Sequence, residues 1–124
     1  MQTRILFAAA ALLAAMACNG EDDDTAPTPN PTNATITITA SGASPQSVTI
    51  TSGGRITWIN NDTARHQPSS DPHPLHTDCP GLNVSELAPG QQAQTAALTT
   101  RRTCGFHDHL NDGVASLRGT VVVQ

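Results

Sequence analysis

The sequence predicts an all-β domain folded as a β-sandwich. Short segments alternate apolar and polar residues with a period of two, which is typical of strands buried on one face. Clusters of Gly, Pro, Asn and Asp separate these segments. After residue 18, no stretch of ten or more residues shows the apolar spacing of an amphipathic helix. Because no helix is available to connect parallel strands, a sandwich of strands joined by turns is the predicted architecture.

The predicted strands follow one another along the chain. Residues 35–40 alternate strictly, with Ile36 and Ile38 pointing inward. Two more strands follow, and the second places Ile56 and Trp58 on one face. The later strands are weaker until a strongly β-branched one closes the chain. Beyond the first strand, the predicted segments are 47–51, 55–60, a short apolar run at 84–87, 91–98, 100–106 and 117–123.

A long irregular segment separates the third strand from the fourth. Residues 61–83 contain Pro68, Pro72, Pro74 and Pro80, and proline is excluded from the interior of a hydrogen-bonded sheet. Loops of this length in a small domain are usually functional. This loop also carries three of the five histidines of the chain, so we expect it to contribute to a functional site.

The N-terminal 18 residues have the pattern of a signal peptide. Arg4 supplies a positive charge, and the apolar stretch at 5–15 is too short to span a membrane. The segment ending in Cys18 looks like a bacterial lipobox, in which this cysteine is lipidated and anchors the mature protein to a membrane. Ordinary cleavage after an Ala-x-Ala-like site is the alternative. Either way the protein is predicted to be exported, to the periplasm or the cell surface.

Residues 19–33 are acidic and proline-rich, and they contain no large apolar residue. Such a composition predicts a disordered tether that joins the anchor to a domain at 34–124. The tether holds four of the ten acidic residues, so most of the net charge of −4 lies outside the domain. Since the domain has no strongly basic segment, we do not expect it to bind nucleic acid.

The pair of Cys104 and His107 is the most informative motif. A thiol and an imidazole three residues apart, at the end of a predicted strand, can converge on one soft metal ion, and His₂Cys sites with a weak axial partner are typical of copper. His66 follows another predicted strand and is the candidate for the second imidazole. We therefore predict a metal site formed by His66, Cys104 and His107.

Four separated blocks together resemble the cupredoxins, the plastocyanin and azurin class of copper proteins. The blocks are residues 56–62 followed by His66, residues 87–91, residues 104–107 and residues 117–123. The resemblance implies a Greek-key sandwich that binds copper through His66, Cys104 and His107. It also implies single-electron transfer with a redox partner protein outside the cytoplasm. We do not expect an enzyme, because no acid–base pair or activated nucleophile stands apart from the candidate ligands. Leu117 stands where these proteins place an axial methionine, which it cannot replace as a ligand.

Cys79 leaves a second interpretation open. Cysteines of exported proteins often pair, and a bond between Cys79 and Cys104 would leave no thiolate for copper. In that case a histidine-rich copper-binding module remains, with ligands from five histidines: His66, His73, His76, His107 and His109. Cys79 is alternatively a ligand itself, because His76-x-x-Cys79 and Cys104-x-x-His107 have the count and spacing of a tetrahedral zinc site.

Overall fold

The computed structural model describes residues 28–124, which form two packed four-stranded sheets. The predicted signal peptide, the lipidation at Cys18 and most of the predicted tether lie outside the described residues. The strands are β1 Ala34–Thr39, β2 Gly42–Ser44, β3 Ser47–Ile50, β4 Ile56–Asn60, β5 Pro68–Ser70, β6 Gln92–Gln94, β7 Arg102–Asp108 and β8 Gly119–Val123. Three 3₁₀ turns accompany them, at Pro80–Leu82, His109–Asn111 and Ala115–Leu117.

The two sheets are mixed. The first has the strand order β2-β1-β4-β6 and the second the order β3-β8-β7-β5. In each sheet one pair is parallel, β1 with β4 and β3 with β8, and the other pairs are antiparallel. The predicted all-β sandwich is confirmed. Among residues 28–124 no helix has the length and apolar character to cross a membrane.

The core lies between the sheets and is mostly aliphatic. Ile36, Ile50 and Val121 are fully buried, as the period-two pattern predicts. The two aromatic residues of the core, Trp58 and Phe106, pack edge to face with their ring centroids 5.0 Å apart. Offset geometry of this kind is favoured because the positive ring edge meets the negative face. This contact connects β4 with β7, the strand on which part of the functional site lies.

Strand β5 lies inside the segment that the sequence analysis treated as irregular. Pro68 begins this strand, which pairs with β7 and forms the edge of its sheet within the described part of the chain. Proline is tolerated at the start of an edge strand because no neighbour needs its missing N–H. The short strand β2 was missed as well. It pairs with the end of β1 through a turn at residues 40–41 and begins at Gly42, whose φ is 118°.

Contacts with the sandwich begin before the predicted domain boundary at residue 34. The carbonyl oxygen of Pro31 accepts a hydrogen bond from Thr51 N, and that of Asn30 accepts one from the Thr51 hydroxyl. The side chain of Asn33 accepts a hydrogen bond from Arg55 N. The last residues of the predicted tether therefore lie against the end of β3.

Candidate metal centre

Cys79 and Cys104 form a disulfide bond, with Cα atoms 5.9 Å apart. The prediction that Cys104 supplies a thiolate to a metal is therefore wrong, because its sulfur is bonded covalently to another sulfur. The tetrahedral zinc arrangement fails for the same reason, since it needs both thiolates. The structure supports the alternative in which the two cysteines pair and histidines alone remain as ligands.

The geometry of β7 explains why Cys104 and His107 do not converge. The predicted strand ended at residue 106, but β7 continues to Asp108. Successive side chains of a strand point to opposite faces, so residues three apart diverge. Cys104, Phe106 and Asp108 point into the sandwich and His107 points to the other side, where the loop at 71–79 covers it.

The residue that faces His66 is Asp108. His66 Nδ1 lies 2.8 Å from an oxygen of Asp108, and its Nε2 lies 3.0 Å from an oxygen of Asp62. The Asp108 carboxylate also accepts hydrogen bonds from Gln67 N and from the side chain of Asn111, each at 2.7 Å. Both ring nitrogens of His66 are thus engaged by carboxylates on opposite sides of the ring, which leaves neither free for a metal ion.

These contacts shift the pKa values of the group. Burial alone lowers the pKa of His66, but the hydrogen bonds and negative charges of Asp108 and Asp62 outweigh it and raise this pKa. Burial likewise raises the pKa of Asp108, and its hydrogen bonds from Asn111, Gln67 N, His66 and Leu110 N outweigh burial and lower it. His66 and Asp108 therefore form a buried ion pair that ties the end of β7 to the loop after β4.

The resemblance to cupredoxins assigned Leu117 to the place of the axial ligand. This residue is buried and lines a narrow crevice with Asp108, Pro68 and Trp58. Its side chain carries no donor atom, so its role in the structure is packing.

Four of the five histidines meet on the other side of β7. His73 and His76 come from the loop at 71–79, His107 from β7, and His109 from the 3₁₀ turn that follows it. One nitrogen from each ring lies within 4.8 Å of the other three. His73 Nδ1 is 3.4 Å from His107 Nε2, and His109 Nδ1 is 3.1 Å from His76 Nε2. We call this group the four-histidine cluster.

The spacing and chemistry of the four-histidine cluster fit a metal ion. Four ligands at about 2.0 Å from a tetrahedral centre lie about 3.3 Å from one another, close to the two observed distances. Imidazole nitrogens suit copper, zinc and nickel. His107 is fully buried, His76 and His109 are partly buried and His73 is exposed, so an ion has a route from solvent.

The pKa of His76 is lowered, first by burial and then by the neighbouring imidazoles His107, His109 and His73. The lowered pKa favours the neutral ring of His76. A neutral ring has a lone pair to donate to a metal ion. His76 is therefore suited to bind a metal ion at neutral pH.

The loop that carries His73 and His76 is closed on itself. The backbone N–H of Asp78 donates to the carbonyl of Asp71, and that of His76 donates to the carbonyl of Pro72. His76 has a φ of 53°, a left-handed conformation that histidine adopts more readily than most non-glycine residues. Cys79 ends the loop with its disulfide to β7. The two ends of the loop are thus held against the strand that carries His107.

All four histidines were predicted as candidate ligands. The first interpretation grouped His107 with His66 and Cys104, and the alternative grouped all five histidines, whereas the structure leaves His66 out. The signal in the sequence is the spacing of two between His107, near the end of β7, and His109, the first residue of the turn that follows. Residues two apart on a strand share a face, and a loop rich in histidine can cover that face.

No family model and no curated protein sequence matches the chain. Solved structures do match its fold, which is that of the cupredoxin β-sandwich. One of these structures is a purple cupredoxin from Nitrosopumilus maritimus, which is 20% identical, with a TM-score of 0.59 over 73% of this chain and 99% of its own.

Two further structures have the same architecture. An amicyanin from Paracoccus versutus is 15% identical, with a TM-score of 0.60 over 74% of this chain and 81% of its own. A mutant plastocyanin of fern is 16% identical, with a TM-score of 0.57 over 73% of this chain and 99% of its own. At these identities the likeness establishes the fold.

Proposed function

We propose that this protein binds one copper ion through the four-histidine cluster. The observation that carries the proposal is the convergence of four imidazole nitrogens within 4.8 Å, on a strand and a loop fixed by a disulfide. Among divalent first-row metals, copper binds nitrogen sites most tightly. The fold supports the same metal, since a structurally similar amicyanin is known in its Cu(I) form.

The site that the sequence motif suggested does not fit copper. Cys104 has no free thiolate, and both ring nitrogens of His66 are hydrogen-bonded to carboxylates. The proposed centre is therefore an all-imidazole site. Bound copper would supply a one-electron couple between Cu(I) and Cu(II).

Single-electron transfer is the second candidate function, with a redox partner protein. Two observations favour it. The fern plastocyanin that shares this fold is known in oxidised and reduced forms. The four-histidine cluster also lies at the surface, with His73 exposed, so a partner would come close to the ion. Reversible voltammetry of the copper protein tests this function, and irreversible loss of copper on reduction would contradict it.

We further propose that the protein is exported and anchored through a lipid on Cys18. The signal-like N-terminus supports this location, and so does the Cys79–Cys104 disulfide, because disulfides persist mainly in oxidising compartments. Mass spectrometry of the mature protein tests the anchor. A mature chain that retains residues 1–17 would contradict it.

Copper titration tests the principal proposal. We expect one Cu(II) per chain, a weak ligand-field absorption band, and no intense thiolate-to-copper charge transfer. His107→Gln should abolish tight binding, whereas His66→Gln, the same change at the one histidine outside the cluster, should retain it. An intense thiolate band, or copper binding that depends on His66 and not on His107, would overturn the proposal. Displacement of the copper by equimolar zinc would contradict the choice of metal.

A further inference from the structure

The carboxylate of Asp71 is hydrogen-bonded to His107, one member of the four-histidine cluster. One of its oxygens lies 2.7 Å from His107 Nδ1, on the side of the ring away from the other histidines. A carboxylate accepts hydrogen bonds, so His107 carries its proton on Nδ1, and its Nε2 faces His73. The buried ring of His107 is therefore held in one tautomer and one orientation.

The backbone around Asp71 is built to keep this contact. Asp71 N donates to the carbonyl of Gly105 at 3.0 Å, which fixes the loop against β7 two residues before His107. The other oxygen of Asp71 occupies the space beside Gly105, where a Cβ atom would collide with it. Glycine at position 105 thus leaves room for the carboxylate to reach His107.

We propose that Asp71 is a positioning residue for the copper centre, and that its charge favours Cu(II) over Cu(I). This inference rests on the proposed function of the four-histidine cluster. A carboxylate hydrogen-bonded to a ligating imidazole fixes the tautomer of the ring and makes the ring a stronger electron-pair donor to the metal. Loss of such a carboxylate typically weakens metal binding about 10- to 100-fold. Its negative charge stabilises the more highly charged ion to a greater extent.

Three variants separate these roles. Asp71→Asn keeps the size of the side chain and removes its charge. Gly105→Ala keeps Asp71 and displaces its carboxylate from His107. Asp78→Asn is the matched control, because Asp78 is exposed on the same loop and its carboxylate forms no hydrogen bond within residues 28–124, whereas its backbone N–H donates to Asp71. Thermal unfolding of each metal-free variant verifies that the domain is folded.

The first measurement needs no metal. Nitrogen chemical shifts of the His107 ring at about pH 8, above the ordinary imidazole pKa, report which nitrogen carries the proton. We expect the Nδ1–H tautomer in the unmodified protein and in Asp78→Asn, and a mixture of tautomers in Asp71→Asn and Gly105→Ala. The same tautomer in all four proteins would overturn the role of Asp71.

The second measurement compares the affinities for the two oxidation states. We expect Asp71→Asn and Gly105→Ala to bind Cu(II) about 10- to 100-fold more weakly than Asp78→Asn does, with a smaller loss for Cu(I). Each tenfold difference between the two losses raises the reduction potential by about 59 mV. Equal losses for both ions would overturn the effect of the charge. Failure of the unmodified protein to bind copper would overturn the proposed function, while the tautomer measurement still decides the role of Asp71.

Discussion

The carboxylate of Asp108 lies 2.8 Å from His66 Nδ1, in the interior of the sandwich. This is the place to which the Cys104 motif assigned a thiolate. The end of β7 therefore has two chemically different sides. An ion pair of His66 and Asp108 lies on the inner side, and the four-histidine cluster lies on the outer side, under the loop at 71–79.

Neutralising Asp108 should destabilise the fold. Asp108→Asn leaves the buried charge of His66 with a weaker partner, and hydrogen bonds to charged groups contribute about 1.5–3 kcal/mol each. We expect the free energy of unfolding of the metal-free protein to fall by about 2–3 kcal/mol in urea titrations. Glu86→Gln is the control, because its ion pair with Arg65 is exposed, and its loss should cost less than about 1 kcal/mol. Equal effects of the two substitutions would contradict the buried pair.

The His66 ion pair should give the metal-free protein a characteristic dependence on pH. The pKa of His66 is raised in the folded state, because the hydrogen bonds of Asp108 and Asp62 outweigh burial. The protonated ring therefore stabilises the fold fully below about pH 6.5, the pKa of histidine in the unfolded chain. That contribution is lost as the pH rises through the folded pKa. The pKa of Asp108 is lowered, because its hydrogen bonds outweigh burial. The ionised carboxylate therefore stabilises the fold above about pH 3.8, the pKa of aspartate in the unfolded chain, and this stabilisation is lost on further acidification.

Thermal unfolding measured as a function of pH isolates the effect of His66. The pKa of His76 is lowered by burial and by neighbouring imidazoles, so protonation of His76 destabilises the fold as the pH falls below 6.5, opposite in sign to His66. The difference between the unmodified protein and His66→Gln removes the His76 contribution. We expect this difference to be largest between about pH 4 and pH 6.5 and to shrink at higher pH. A difference that grows with pH would contradict the assignment.

Loss of the disulfide should lower the stability substantially. The bond between Cys79 and Cys104 closes a loop with a sequence separation of 25, for which chain entropy predicts about 3.5 kcal/mol. We expect the double variant Cys79→Ser, Cys104→Ser to unfold at a correspondingly lower urea concentration. A reductant should lower the stability of the unmodified protein and leave the double variant unchanged. Free-thiol reactivity of Cys79 or Cys104 in the folded, unreduced protein would contradict the bond.

Copper should stabilise the folded protein through the four-histidine cluster. An ion that binds only the native state at a free concentration of 100 times its dissociation constant adds about 2.7 kcal/mol. We expect this gain in the unmodified protein and none in His107→Gln under the same conditions. The measurement is urea unfolding at fixed free copper. A similar gain in His107→Gln would place the ion elsewhere.

The sequence predicted the sandwich well, because the alternation at residues 35–40 reports burial directly and the β-branched run at the end of the chain favours a strand. The prediction of the metal site failed at β7, because the position at which the strand ends determines whether Cys104 and His107 still lie on opposite faces. Ending the strand at residue 106 left Cys104 and His107 free to converge, whereas two more residues of strand separate them. The pairing of Cys79 with Cys104 was weighed from the sequence, but spacing alone does not distinguish a disulfide from a ligand pair.

The ion pair between His66 and Asp108 could not be predicted from the sequence, for a related reason. Asp108 is separated from His66 by 42 positions, and their contact depends on the pairing of β5 with β7. That pairing begins at a proline, which the sequence analysis used as an argument against a strand. The histidines of the loop were identified by their crowding, and only the fold shows which four share a centre.

The most direct test of the account is a crystal structure of the copper-loaded protein with anomalous data at the copper absorption edge. We expect a single peak about 2.0 Å from one nitrogen each of His73, His76, His107 and His109, with the His66–Asp108 pair and the disulfide unchanged. A peak beside His66, or copper bonded to the sulfur of Cys104, would contradict the four-histidine centre.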